Sequence, residues 1–149
     1  MFDNDERSHQ IVVFVKKDKY KVMKKTIFST ACFLGMFAII LGAFGAHGLQ
    51  KLVKADALAV FETGVHYQMY HVFLLFVLGL LPNLPNGIKR IVFFLIVIGV
   101  ILFSFSLYLL AINELVEFDF KKIGFLTPIG GTLQIIAWGI LGYTYLRRK

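Results

Sequence analysis

The sequence predicts an all-α protein, a four-helix transmembrane bundle with N- and C-termini cytoplasmic. Three observations lead there. Hydrophobic residues fill 58% of 149 positions, above the roughly half-apolar usage of soluble domains. Four uncharged apolar runs, about 26–46, 64–81, 91–112 and 128–146, each approach the ~20 residues with which a helix crosses a bilayer. Lysine and arginine gather in the segments that four crossings would leave on one side.

Residues 1–22 stand apart. Asp3, Asp5, Glu6 and Arg7 open a polar stretch, and Ile11–Val15 is a five-residue apolar run before Lys16, Lys17, Lys19 and Lys21. Such a run is far too short to span, so this part reads as a loosely ordered or surface-associated cytoplasmic tail, dispensable to the membrane domain of residues 23–149. Thr26 to Ala46 is uncharged and would rise about 31 Å as a helix. That run exceeds the h-region of a cleaved signal peptide. Gly35, Gly42 and Gly45, with Ala31, Ala38 and Ala46, give it a low-profile stripe where a neighbouring helix can pack.

Gly48 to Thr63 is too charged to span. Asp56 is the expected cap of a second helix that enters the membrane near Gly64 and runs to Leu81. Pro82, Asn83, Pro85, Asn86 and Gly87 mark a turn, closed by Lys89 and Arg90. The third span ends near Ser104, Ser106 and Tyr108. A charged loop follows, and Thr127-Pro128 reads as a helix start with threonine at the cap and proline at the first helical position. Arg147, Arg148 and Lys149 stop the fourth span.

With four spans the termini share a side with the Pro82–Arg90 loop, and this side holds most of the basic residues, against Lys51, Lys54, Lys121 and Lys122 on the other. The termini are therefore assigned to the cytoplasm. The formal charge of +7 follows from these flanks and implies no nucleic-acid partner, since no basic face with interleaved aromatics occurs. Lipid, other membrane proteins and further copies of the chain are the expected partners. One cysteine, Cys32, excludes an internal disulfide.

This orientation brings polar residues to one depth. His47 ends the first span, Glu62 to His71 head the second, and Thr127 opens the fourth, all toward the outside. The candidate polar cluster is His47, Glu62, His66, Tyr67, Gln68, His71 and Thr127. On the second helix Gly64, Tyr67, Gln68 and His71 fall on one face, and Glu62, His66 and Tyr70 on a neighbouring stripe. Gly35, Gly42, Gly45, Gly64, Gly130 and Gly131 are the expected helix-packing positions.

Gly42-Ala43-Phe44-Gly45-Ala46-His47-Gly48-Leu49, Phe61 to His71, Phe103 to Tyr108, and Thr127 to Gly131 with Trp138 resemble, in order, the bacterial family known as domain of unknown function 423, the YgdD-like small inner-membrane proteins. The likeness covers about residue 23 onward and departs at Phe105, where the family pattern has a small residue. It implies a multi-pass cytoplasmic-membrane protein and brings no established activity.

Three functional readings follow. The first is a structural or interaction bundle, with polar residues as interhelical partners. The second is a transporter, channel or sensor subunit whose outward-facing site takes a proton, metal ion or small solute. The third is a haem or metal redox protein, using His47 with His71, or the three histidines with Glu62. His66 and His71 are five apart, off the i, i+4 spacing of a helical ligand pair. The sequence displays no nucleophile, acid–base pair or phosphate loop, so neither an enzyme nor a resident cofactor or metal site is expected.

Overall fold

The computed structural model describes residues 3–82 and 84–147. Asn83 of the predicted turn, and Arg148 and Lys149 of the expected stop, lie outside them. The described chain is all-α, with helices α1 (Asp3–His47), α2 (Ala55–Leu80), α3 (Asn86–Ala111) and α4 (Leu126–Leu146) joined by short 3-10 turns.

The helix α1 has 45 residues and a length of about 67 Å, more than twice the hydrocarbon thickness. Residues 3–22 are thus part of a continuous helix and not a loosely ordered tail. The cause is local: no proline or glycine precedes Gly35, and Lys16, Lys17, Lys19, Lys21, Lys24 and Lys25 are residues that favour helix. Two expected caps are also corrected. Lys54 occupies the cap position of α2 without a capping bond from its side chain, and Asp56 sits in the first turn, where its charge favours the positive end of the helix dipole. In α4 the cap position is Phe125, so Thr127 and Pro128 fall inside the first turn. Proline is harmless there, because the first four N–H groups of a helix have no intrahelical acceptor.

Among the described residues, three segments are long and apolar enough to cross a membrane: Lys21–Lys51, Asn86–Ala111 and Phe120–Leu146. The helix α2 has 26 residues, as long as α3, but His66, Tyr67, Gln68, Tyr70 and His71 make its middle more polar.

The principal contacts run from α1 to α2, α2 to α3 and α3 to α4, with a lighter one between α1 and α3. Neighbours in sequence are neighbours in space, and α4 packs chiefly on α3. The helices form a row, more open than a closed bundle. Added side chains on Gly35, Gly42 and Gly45 would face Val72, Val65 and Phe61 respectively, the descending register of an antiparallel pair.

One apolar cluster takes in Ile27, Ala31, Leu74, Leu75, Leu78, Val92, Ile96, Val100, Ala137 and Leu141. A smaller one holds Leu49, Phe61, Tyr108 and Ala111. In sequence position along α2 and α3, the buried Gln68, His71 and Ser104 fall between them.

The α3–α4 seam is the closest approach. A Cβ on Gly130 would stand 2.5 Å from Phe103 N and 2.8 Å from Gly99 O, both backbone atoms, whereas one on Gly139 meets nothing within 4 Å. Gly130→Ala is therefore expected to cost about 1–3 kcal/mol. Gly139→Ala should stay within about 0.5 kcal/mol of the parent. Thermal unfolding of the two variants in detergent checks this contrast.

Candidate functional site

The predicted polar cluster divides in two. Gln68 and His71 are buried, while His47, Glu62 and His66 are exposed. Tyr67 was placed on the Gly64, Gln68 and His71 face, but it is 41% exposed, with its ring 4.8 Å from that of Phe103. The arc from Gly64 to His71 is wide enough that its edge residue slips outward.

Gln68 is the centre of the buried part. Its Nε2 donates to the Leu34 carbonyl of α1 at 2.7 Å, and its Oε1 accepts from the Tyr108 hydroxyl of α3 at 2.9 Å. One side chain thereby ties three helices together. Tyr108 can lie flat against α2 because position 64 is glycine: a Cβ there would come within 2.7 Å of the Tyr108 ring. Phe61, one turn before Gly64, packs against that ring at a tilt, with centroids 4.9 Å apart.

One turn further along α2, His71 Nδ1 lies 2.8 Å from the Tyr67 carbonyl oxygen. A carbonyl only accepts, so Nδ1 carries the proton and, in the neutral ring, Nε2 is left as an acceptor. Among the described residues, that Nε2 is buried without a hydrogen-bond partner, as are Ser104 Oγ and Gln134 Nε2. Unsatisfied groups of this kind are uncommon in proteins.

Thr127, the remaining member of the cluster, joins a separate pair. Ser106 Oγ donates to the Phe103 carbonyl at 2.8 Å and lies 2.6 Å from Thr127 Oγ1. Ser106 has spent its proton on the carbonyl, so Thr127 is the donor between the hydroxyls. This bond fastens α4 to α3 near Gly130.

Three contributors fall outside the predicted cluster, although Ser104 and Tyr108 mark the predicted end of the third span. Tyr108, Ser104 and Gln134 all face inward, and the signal for Gln134 is the one that marks Gln68: an amide inside an apolar run. Lys89 is 0% exposed and donates from Nζ to the Leu81 carbonyl at 3.0 Å, closing the end of α2 in the manner of a C-terminal cation. At the opposite end Lys54 pairs with Glu114 at 3.0 Å, joining the α1–α2 and α3–α4 connections. That pair is exposed and contributes little stability. Phe105, where the family pattern has a small residue, points outward and is exposed, so its bulk enters no helix seam. No group of three or more His, Cys, Asp or Glu side chains that could hold a metal occurs among the described residues.

A helical chain with several membrane-length apolar segments and polar groups paired between them is a multi-pass membrane protein. Residues 41–131 match the model of a family described as a protein of unknown function, DUF423. A UPF0382 membrane protein of Haemophilus influenzae is 37% identical over 127 residues, covering 85% of this chain and 98% of its own. The UPF0382 membrane protein YwdK of Bacillus subtilis is 40% identical over 105 residues, covering 69% of this chain and 81% of its own. No solved structure matches. The chain belongs to the DUF423 family of small membrane proteins.

If Gln68 bridges three helices, Gln68→Leu and Tyr108→Phe should not add. A double-mutant cycle in detergent is expected to give a coupling of about 0.6–2 kcal/mol. Additive losses would mean that the amide and the phenol do not work together.

Proposed function

We propose that the protein is a four-span structural or interaction subunit of the cytoplasmic membrane, with both termini inside and no enzymatic activity. The observation that carries this reading is the Gln68 bridge. Each end of the amide bonds to one of the chain's own helices, and the side chain is buried away from solvent. The fourth crossing rests on α2, whose 26 residues give about 39 Å of helix. It packs between α1 and α3, both of which have the length and apolarity to cross. The inward termini rest on the basic residues before Thr26, in the α2–α3 turn and after Leu146.

Residues 1–22 are proposed to be dispensable for membrane insertion.

Topology is tested with single cysteines on a Cys32→Ala background. Gly87→Cys, where a side chain meets nothing within 4 Å, should resist a membrane-impermeant thiol reagent on intact cells, while Lys51→Cys and Glu117→Cys should react. The same pattern is expected after deletion of residues 1–22. Labelling of positions 51 and 87 from one side would remove α2 as a span.

A second reading has its own observation. His71 Nε2, Ser104 Oγ and Gln134 Nε2 are buried polar atoms without partners, as a site for a proton or a small polar solute would require. The structural reading expects proteoliposomes to show no proton or cation flux above empty vesicles, and His71→Leu to lower stability alone. Flux that His71→Ala removes would transfer the function to the second reading.

A further inference from the structure

The connection from α3 to α4 turns its apolar side chains outward. Leu115, Val116, Phe118 and Phe125 are exposed, set among the charged and equally exposed Glu117, Asp119, Lys121 and Lys122. The segment is nevertheless built. Two 3-10 turns, Asn113–Leu115 and Phe120–Ile123, bracket it, and the second packs on α3. Asn113 Oδ1 accepts from the Phe120 N–H at 2.6 Å, and Asp119 Oδ1 accepts from the Lys121 N–H at 3.1 Å. The rings of Phe118 and Phe120 lie 5.0 Å apart, so both point one way. Neighbouring apolar side chains held outward by an ordered backbone mark an interaction surface.

Depth says what meets this surface. The 21 residues of α4 rise about 31 Å, close to the hydrocarbon thickness of about 30 Å. Arg147 fixes its far end: the guanidinium lies 5.0 Å from the centre of the Tyr143 ring, one turn back, and so does not reach past the helix for water. Arg147 must itself stand among the headgroups. Leu126 then lies at the opposite edge of the hydrocarbon, and any tilt of α4 draws it deeper. The apolar segment of membrane length begins before that helix, at Phe120. From the other side, α3 with its 26 residues rises about 39 Å, which does not outrun the roughly 40–45 Å of a bilayer with its headgroups. Both ends of the connection therefore lie in the headgroup layer.

We propose that the α3–α4 connection is an interfacial anchor, with Val116, Phe118 and Phe125 inserted into the lipid of the leaflet that receives this end of α3 and α4. The inference goes beyond the functional reading above and depends neither on α2 as a span nor on which side the termini face. At this depth lipid is already in place, and a protein partner would first have to displace it. Apolar side chains leave water by entering the headgroup layer, while the carboxylates and ammonium groups between them stay hydrated. Charge does not drive the insertion: Glu117 and Asp119 offset Lys121 and Lys122, and Glu114 is engaged by Lys54. No anionic lipid is therefore required. Because α3 and α4 are fitted backbone to backbone at Gly130, an anchor at this end sets the depth of both helices together.

The test uses the full chain in phosphatidylcholine nanodiscs. Trp138→Phe removes the chain's one tryptophan, and on that background Phe118→Trp and, separately, Glu117→Trp place a fluorescent reporter on the apolar and the charged positions of the connection. With Phe118→Trp the emission should shift to the blue and be quenched strongly by lipid brominated near the carbonyl end of its acyl chain. Its quenching constant for aqueous iodide should be several-fold below that of Glu117→Trp. Adding phosphatidylglycerol should leave the quenching by brominated lipid unchanged. Equal iodide quenching at the two positions, with no effect of brominated lipid, puts the connection in water and overturns the proposal. Protection of position 118 from both quenchers means that protein covers it, which overturns lipid as the occupant. Quenching by brominated lipid that appears only with phosphatidylglycerol overturns insertion through apolar contact.

Discussion

The hydrogen bonds of Gln68 are the constraint on which the arrangement of the first three helices depends. A buried amide cannot fall back on water, so its donor and its acceptor both need protein partners. The Leu34 carbonyl and the Tyr108 hydroxyl satisfy them. Rotating α2 by one residue would strand both ends at once, and sliding α3 by one turn would strand the acceptor. Apolar packing alone sets a weaker register, because Leu, Ile and Val exchange positions at small cost. The polar layer therefore fixes a geometry that the apolar clusters to either side can only fill.

The second seam is held differently. Between α3 and α4 the backbones approach until Gly130 lies against Phe103 and Gly99, and the Ser106–Thr127 pair adds one bond. Close backbone contact with few polar bonds is a common solution in lipid, where there is no hydrophobic force between helices to exploit. The row thus combines a hydrogen-bonded trio with a fourth helix fitted by shape. In this arrangement α4 carries its outward Ile135, Trp138 and Tyr143 exposed, side chains suited to lipid.

Much of this was legible in the sequence, for reasons that can be given residue by residue. Uncharged runs of span length admit few structures but helices, and the 3.6-residue period brought Gly64, Gln68 and His71 to one face. Tyr67 belonged to the same arc and still turned outward, because the period gives a direction to within about half a turn and packing decides the edges. Tyr108 was harder to place. On a helix apolar all round, hydropathy does not say which side is inner. The cap positions erred for a local reason: Thr127 found a hydroxyl partner in another helix, and a tertiary bond displaced the local one that its sequence context favours. Lys89 carried the opposite lesson, since lysine in a turn reads as solvated, and only the folded chain reveals the carbonyl it covers.

The extent of the family match, residues 41–131, bears on what the polar layer is for. It encloses Gly64, Gln68, Gly99, Ser106, Tyr108, Thr127 and Gly130, so the side-chain bonds from α2 to α3 and from α3 to α4 lie wholly within it. It excludes Leu34, which contributes to the Gln68 bridge only a backbone carbonyl. Any residue at that position supplies the same acceptor. The bridge to α1 therefore constrains where that helix lies and leaves its side chain at the contact free. A scaffold built this way holds its helices in register through a few polar side chains, while the outer surfaces of α1 and α4 can change to suit whatever lipid or protein they meet.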